Sequence, residues 1–446
     1  MNIGSEMQEI SSNNKRIAKN TLLLYFRMLV TMAVSLYTSR VVLNILGVED
    51  FGIYNVVGGI VAMFGFINGS MTSATQRYLT FELGQNNRAQ LTKVFSTSLS
   101  IHGIISFLII VLAETVGLWF LWNKMQIPAD RMNAAFWVFQ CSVAASVIMI
   151  MSVPYNAAII AHERMSAFAY ISIIEVSLKL LIVCFLRYFH TDKLILYAAL
   201  IVIVQFLIRL CYSWYCNRHF NETKYRWSWD KGLFKEMTGF ASWNMFGSLA
   251  AITFTQGLNL LLNMFFGPVV NAARGIAVQA QTAIGQFSSN FQTALNPQIT
   301  KSYATGDMEY MHGLIFRNAK FSFFLLLLLS LPVLIETKAI LTLWLKIVPD
   351  HTVVFLRIML CTTWVYAVSN PLITAASATG KIKLYQSVVG GLLLLILPIS
   401  YLCLRFGLPA YSVFIVHFVM EITAQFARLL MLRRMIRLSL REYLPK

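Results

Sequence analysis

Long apolar runs separated by short polar breaks fill this chain from about residue 20 to residue 432. About 20 apolar residues are needed to cross the hydrocarbon core of a bilayer, and the runs have that length. They predict twelve spans, at about 20–42, 50–78, 89–121, 130–155, 165–188, 193–216, 234–265, 268–297, 312–335, 351–376, 383–404 and 409–432. The breaks carry turn signals: Gly84-Gln85-Asn86-Asn87-Arg88, Pro128-Ala129-Asp130, Gly306-Asp307 and Gly380-Lys381. Spans 2 and 8 are the least apolar, and a repeat supports both. Residues 43–80 return without a gap at 263–300, so that Gly47 aligns with Gly267, Gly65 with Gly285, Ala74 with Ala294 and Thr80 with Thr300. The longest polar interruption, Asn217 to Glu236, falls between the sixth and seventh spans. The expected architecture is therefore an all-α integral membrane protein, with 12 transmembrane helices in two pseudo-symmetric six-helix lobes. Residues 1–216 form the first lobe, 217–233 a cytoplasmic linker, and 234–446 the second lobe with a basic C-terminal tail. Six is even, so both lobes enter the membrane from the same side and the repeat is parallel.

Composition agrees. Of the 446 residues 57% are apolar and 12% are charged, and mean hydropathy is +0.65. A soluble protein carries about 25% charged residues. The net charge of +17 raises nucleic acid as a partner. The basic residues lie in short segments between apolar runs and not on a polar domain, so no nucleic acid is expected. They orient the chain instead. Lys15, Arg16 and Lys19, then Arg218, Lys224, Arg226 and Lys231, then Arg433, Arg434, Arg437 and Arg441 lie on one side, which places both termini in the cytoplasm. The last group suits anionic membrane lipids. The six cysteines show no metal-binding spacing, and no cofactor or metal is expected. Met1 to Lys19 does not read as a cleaved leader.

No catalytic constellation stands out. A phosphate loop with Lys and Ser/Thr is missing, so no ATP motor is expected. The external loops are too short for the acidic site of a membrane glycosyltransferase, and the chain reads as a non-enzyme. Charges inside the spans are the informative residues, because a central charge costs at least about 2.5–3.5 kcal/mol on insertion scales. Arg209, Arg317, Lys320, Arg357 and Arg428 lie near span ends and are expected to snorkel. Lys179 follows Glu175 by four residues, a helical pair that is either structural or an ion or proton coupling site. Arg27 and Arg274 lie about two turns into spans 1 and 8 with no acid three or four residues away. An unpaired guanidinium there calls for water or an anion, and its planar fork suits phosphate oxygens.

Span 8 also has a polar face. Arg274, Gln281, Ser288 and Gln292 fall within about 20° of one line at 100° per residue. The repeat carries it to span 2, where Asn68 and Thr72 match Ser288 and Gln292 and Thr75 and Gln76 extend the face. Span 7 adds Gln256, Asn259 and Asn263. Such stripes either join helices or line a wet cavity. Amides and hydroxyls are also what a sugar would bind.

Several runs resemble a known family. They are Leu43-Asn44-Ile45-Leu46-Gly47-Val48-Glu49-Asp50-Phe51-Gly52-Ile53-Tyr54, Ser73-Ala74-Thr75-Gln76-Arg77-Tyr78, Pro154-Tyr155-Asn156-Ala157 and Ala161-His162-Glu163-Arg164. Asn271-Ala272-Ala273-Arg274-Gly275, Asn296-Pro297-Gln298-Ile299, Asn370-Pro371-Leu372 and Ala378-Thr379-Gly380-Lys381 complete the set. Over essentially the whole chain the sequence resembles the Wzx-type flippases of O-antigen and capsule repeat units. These belong to the multidrug/oligosaccharidyl-lipid/polysaccharide exporter superfamily. The resemblance implies a V-shaped pair of lobes around a cavity lined by spans 1, 2, 7 and 8. It implies a bacterial inner-membrane flippase for undecaprenyl-pyrophosphate-linked oligosaccharide, working by alternating access. Arg27 and Arg274, with Arg40 and Arg77 at span ends, are the positions it assigns to the pyrophosphate. Asn68, Thr72, Gln256, Asn259, Asn263, Gln281, Ser288 and Gln292 are then the sugar face. Candidate partners are a polysaccharide polymerase and chain-length machinery. Two other readings stay open: an ion-coupled exporter of drugs or metabolites, and a structural membrane component of a polysaccharide assembly complex.

Overall fold

The apolar runs are helical in the computed structural model, which describes residues 3–62, 65–123, 127–186, 188–189, 191–224, 230–345, 348–439 and 443. Among the described residues every regular element is a helix. The chain divides into two units, Met1–Gly239 and Phe240–Lys446. The first holds α1 (Ile3–Ala62), α2 (Gly65–Gly84) and α3 (Arg88–Leu112). A π turn at Ala113–Gly117 carries α3 into α4 (Leu118–Asn123), and α5 (Met132–Ala161), α6 (Met165–Leu186) and α7 (Lys193–His219) follow. Helix α8 (Lys231–Phe266) runs on into the second unit. There follow α9 (Pro268–Thr305), α10 (Met308–Ile335), α11 (Thr337–Leu345), α12 (Thr352–Ala378), α13 (Lys383–Arg405) and α14 (Ser412–Met435). Among the described residues nine segments are long and apolar enough to cross a membrane. The protein is a multi-pass membrane protein. Predicted span 1 and the first part of span 2 lie on α1, the rest of span 2 on α2 and span 8 on α9; these helices are outside those nine.

The sequence repeat is also a repeat of backbone conformation. Gly47 breaks α1 with φ 81° and ψ 171°, and its counterpart Gly267 precedes α9 with φ 80° and ψ −172°. Only glycine adopts that region without strain, so both positions make the same abrupt turn. The next turn repeats as well. Asn86 and Gly306 are both left-handed, at φ 55° and 78°. The residue after each caps the following helix: Asn87 Oδ1 accepts from the Gln90 amide at 3.1 Å, and Asp307 Oδ1 from the Tyr310 amide at 3.0 Å. Packing follows the same plan. Helices α2, α3 and α7 lie against α5, and α9, α10 and α14 lie against α12.

Each unit has its own apolar core. In the first, Phe139, Val57, Leu121 and Leu194 are fully buried. In the second, Phe355, Leu262, Leu356 and Val413 are.

Candidate functional site

In the first unit the embedded charges gather around α6 and α7. The Arg27 guanidinium carbon lies 4.5 Å from the centre of the Phe168 ring. That is within cation–π range. Lys179 Nζ donates to Glu175 Oε1 at 2.5 Å, and Gln205 Nε2 donates to the same oxygen at 3.2 Å. Tyr212, hydrogen-bonded to Ser172, lies within electrostatic reach of both Arg27 and Glu175. Arg27 and the Glu175–Lys179 pair, separate in the sequence reading, thus belong to one cluster. Arg77 lies elsewhere, inside α2 about two turns before Gly84. Its guanidinium carbon is 4.4 Å from the Tyr78 ring centre and 4.9 Å from that of Phe81, and Glu82 is within its electrostatic reach, while the Tyr78 hydroxyl donates to Glu236 Oε1 at 3.0 Å. Thr72 is half-buried. The side chains of Arg40 and Asn68 lie outside the described residues.

A polar clasp ties α1 to the residue before α5 and to the start of α7. Arg131 donates through Nε and Nη2 to the Asp50 carboxylate at 2.9 and 2.6 Å, and through Nη1 to Asp192 Oδ2 at 2.7 Å. Asp192 in turn caps α7, accepting from the Leu194 amide at 3.0 Å. Burial works against the Asp192 carboxylate, but the bonds from Arg131 and from the α7 amides outweigh it and hold its pKa below the usual range.

The second unit contains a cavity of about 430 Å³ walled mainly by α8, α9, α12 and α14, with Leu326 of α10 and Leu393 of α13. Gln281, Ser288 and Gln292, the polar face read from the sequence, all line it. Their amides also join helices. Gln281 Nε2 donates to the Met359 carbonyl at 3.1 Å and to Thr363 Oγ1 at 2.8 Å, and Gln292 Nε2 donates to the Ala367 carbonyl at 3.0 Å. The stripe thus both lines the cavity and joins α9 to α12. Ser288 Oγ has no partner among the described residues.

Arg274 corrects one expectation. It is 5% exposed and is not an unpaired guanidinium. Nη1 donates to Asn259 Oδ1, and Nη2 donates to the Thr255 carbonyl at 2.9 Å. Asn259 lies 15 residues earlier, beyond the Gly267 turn, out of range of a search one helical turn wide. No carboxylate pairs with Arg274 among the described residues, so its charge is solvated by neutral dipoles alone. Thr255 itself lines the cavity. Gln256 accepts from Asn259 Nδ2 at 3.1 Å; Gln256 and Asn263 are exposed, and none of these three residues lines the cavity.

Arg428 corrects another. Snorkelling was expected, but Arg428 is 2% exposed and lines the cavity. Its Nη1 donates to Glu421 Oε1 at 2.7 Å and to Ser369 Oγ at 2.9 Å. Ser369 passes the chain on to Gln425 Oε1 at 2.7 Å. Sequence reasoning missed this pair. Its signal was a separation of seven residues, two helical turns, which puts both side chains on one face of α14. Arg317, Lys320 and Arg357 are exposed, as span-end residues are. Among the described residues no cluster of three or more His, Cys, Asp or Glu side chains could hold a metal ion.

Comparison with known proteins fits this architecture. Residues 17–304 match a protein family described as Polysaccharide biosynthesis protein. No curated protein matches the chain. Solved structures do. An outward-facing multidrug resistance MATE family transporter of the MOP superfamily is similar at TM-score 0.82 and 13% identity, covering 95% of this chain and 96% of that one. The Vibrio cholerae MATE transporter VcmN in its bent form is similar at TM-score 0.80 and 17% identity, covering 96% and 98%. A MOP superfamily transporter from Pyrococcus furiosus is similar at TM-score 0.79 and 13% identity, covering 95% and 96%; its description reports a binding pocket of reverse polarity. At these identities the likeness is one of fold alone.

Proposed function

Because the chain belongs to the polysaccharide biosynthesis protein family, we propose that it is a flippase of the Wzx type, moving an undecaprenyl-pyrophosphate-linked oligosaccharide from the cytoplasmic to the outer leaflet of a bacterial inner membrane. It has both termini in the cytoplasm and no enzymatic activity of its own. The observation that carries this reading is Arg274: a guanidinium 5% exposed, held among the described residues by an amide and a carbonyl, beside a cavity whose lining includes amides and hydroxyls. A buried cation without a carboxylate is arranged to meet an anion. Neutral hydrogen-bonding groups around it suit sugar hydroxyls.

Transport proceeds by alternating access. The head group enters from the cytoplasmic side, arginines of the second unit, Arg274 among them, neutralise the diphosphate, and the amide face of α9 holds the sugar while the prenyl chain stays in lipid. A polymerase and chain-length machinery would take the delivered unit. The similar fold of multidrug transporters keeps an ion-coupled exporter as the second reading, with Glu175 or Glu421 as the coupling acid. Basic residues near a cavity repel cationic drugs, and a solved relative of reverse pocket polarity is a precedent for other cargo on this fold.

The test is translocation of a fluorescent lipid-linked oligosaccharide in proteoliposomes. Arg274→Ala is expected to lower the rate by at least about tenfold, the equivalent of one charge-assisted hydrogen bond. Undiminished transport would remove Arg274 from the mechanism. Protection of cells against cationic dyes, without transport of the lipid-linked sugar, would favour the exporter.

A further inference from the structure

The second unit buries a carboxylate and a guanidinium in the wall of the same cavity, and the guanidinium is incompletely used. Glu421 and Arg428 are 4% and 2% exposed, and both line the space of about 430 Å³. Their one direct contact is Arg428 Nη1 to Glu421 Oε1 at 2.7 Å. Arg428 Nε has no partner among the described residues. Two lining acceptors, Ser288 Oγ and Asn370 Oδ1, are also without partners. The cavity has the size of a ligand site.

Resting on the function proposed above, we infer that Glu421 is an internal stand-in for the cargo's anion: a diphosphate entering this cavity takes the carboxylate's place on Arg428, and Glu421 takes up one proton in exchange. The step balances. The Nη1–H to Oε1 hydrogen bond breaks, an Nη1–H to phosphate-oxygen bond forms, and one proton from water binds the freed carboxylate. Two anions crowded onto one site do not both stay ionised, and a bare carboxylate at membrane depth is costly. Release runs in reverse: Glu421 loses its proton, returns to Arg428 and displaces the anion. The site thus holds its cargo without trapping it.

The groups facing Glu421 are Arg428 and His417 on α14, Tyr366 on α12 and Tyr385 on α13, with Arg274 of α9 in electrostatic reach of His417. Glu421 is the sole carboxylate among the lining residues, which limits the exchange to one proton.

The experiment uses the full-length protein in lipid nanodiscs, titrated with geranyl diphosphate at neutral pH by calorimetry in buffers of different ionisation enthalpy. The native protein is expected to take up about one proton more per bound diphosphate than Glu421→Gln. With its internal competitor gone, Glu421→Gln is also expected to bind about tenfold more tightly, one charge-assisted bond being replaced by a neutral one. The double variant Glu421→Leu/Arg428→Met leaves no buried charge behind and keeps the volume. It is expected to lose both the binding at this site and the proton uptake. Equal proton uptake by the native protein and Glu421→Gln, or unaltered binding by the double variant, overturns the exchange while the cargo assignment stands. No binding of diphosphate by the native protein overturns both.

Discussion

Removing one member of the Glu421–Arg428 pair should be far more damaging than removing both. The side chains are 5% and 3% exposed and 2.7 Å apart. At that depth each charge has lost its water, and the partner supplies what replaces it. Breaking a buried pair on one side costs about 3–5 kcal/mol, whereas replacing both members with apolar side chains of similar volume is about neutral or stabilising. Glu421→Leu strands a guanidinium, which stays charged in any protein environment. Arg428→Met strands a carboxylate, which can bind a proton and so limit the damage. The expected order of stability is native and double variant together, then Arg428→Met, then Glu421→Leu, with a coupling of about 3 kcal/mol or more in the double-mutant cycle. Unfolding of the purified protein in detergent, followed by tryptophan fluorescence, supplies the four values. Single variants that each lose less than about 1 kcal/mol and add simply would mean that both groups keep their water, and the reasoning from burial would fail.

The clasp at Arg131 gives a pH prediction. The Asp192 pKa is depressed on folding, so its contribution is complete above the unfolded value of about 3.9 and is lost as pH falls through the lower folded value. Stability should fall below about pH 4, and Asp192→Asn, measured by thermal unfolding across pH, should flatten that fall; an unchanged acid limb would show that the clasp is not the acid-sensitive element. A Cβ at Gly117 would lie 2.7 Å from Phe139 Cζ, inside a fully buried ring. Gly117→Ala should lose about 1–3 kcal/mol in the same unfolding assay, and Gly117→Ala/Phe139→Leu should recover part of it. Gln292→Leu removes the bond to the Ala367 carbonyl. A loss of about 0.6–1.7 kcal/mol is expected, the range for hydrogen bonds inside membrane proteins, and a larger one would give this amide a greater role in holding α9 to α12.

Much of the fold was legible because lipid imposes a simple rule on sequence. Apolar runs of spanning length must become helices, and the predicted runs fall on helical backbone within a few residues. The repeat was legible for a different reason. Gly47 and Gly267 make turns that other residues resist, and Asn87 and Asp307 cap helices through short side chains, so these positions keep their chemistry when the rest drifts. The site was legible only along single helices. The face of α9 with Gln281, Ser288 and Gln292 was visible in the periodicity, whereas the carbonyls of α12 that its amides meet were not, because they are 75 and 78 residues away. Arg274 looked unpaired because Asn259 lies beyond a turn whose geometry no periodicity encodes. Arg428 looked like a surface residue because its distance from a predicted span end says nothing about which neighbours cover it. Arg27 and Glu175 came within reach of the same Tyr212 only once α1, α6 and α7 were packed.

The central claim is that this protein carries lipid-linked sugar across the membrane with Arg274 at the diphosphate. The most direct test is the sidedness of lipid-linked oligosaccharide in cells lacking the protein, assayed with a membrane-impermeant glycosidase from either face of sealed vesicles. The account predicts accumulation on the cytoplasmic face, relieved by the native protein and not by Arg274→Ala. An unchanged distribution in the deletion strain, or full relief by Arg274→Ala, would contradict it.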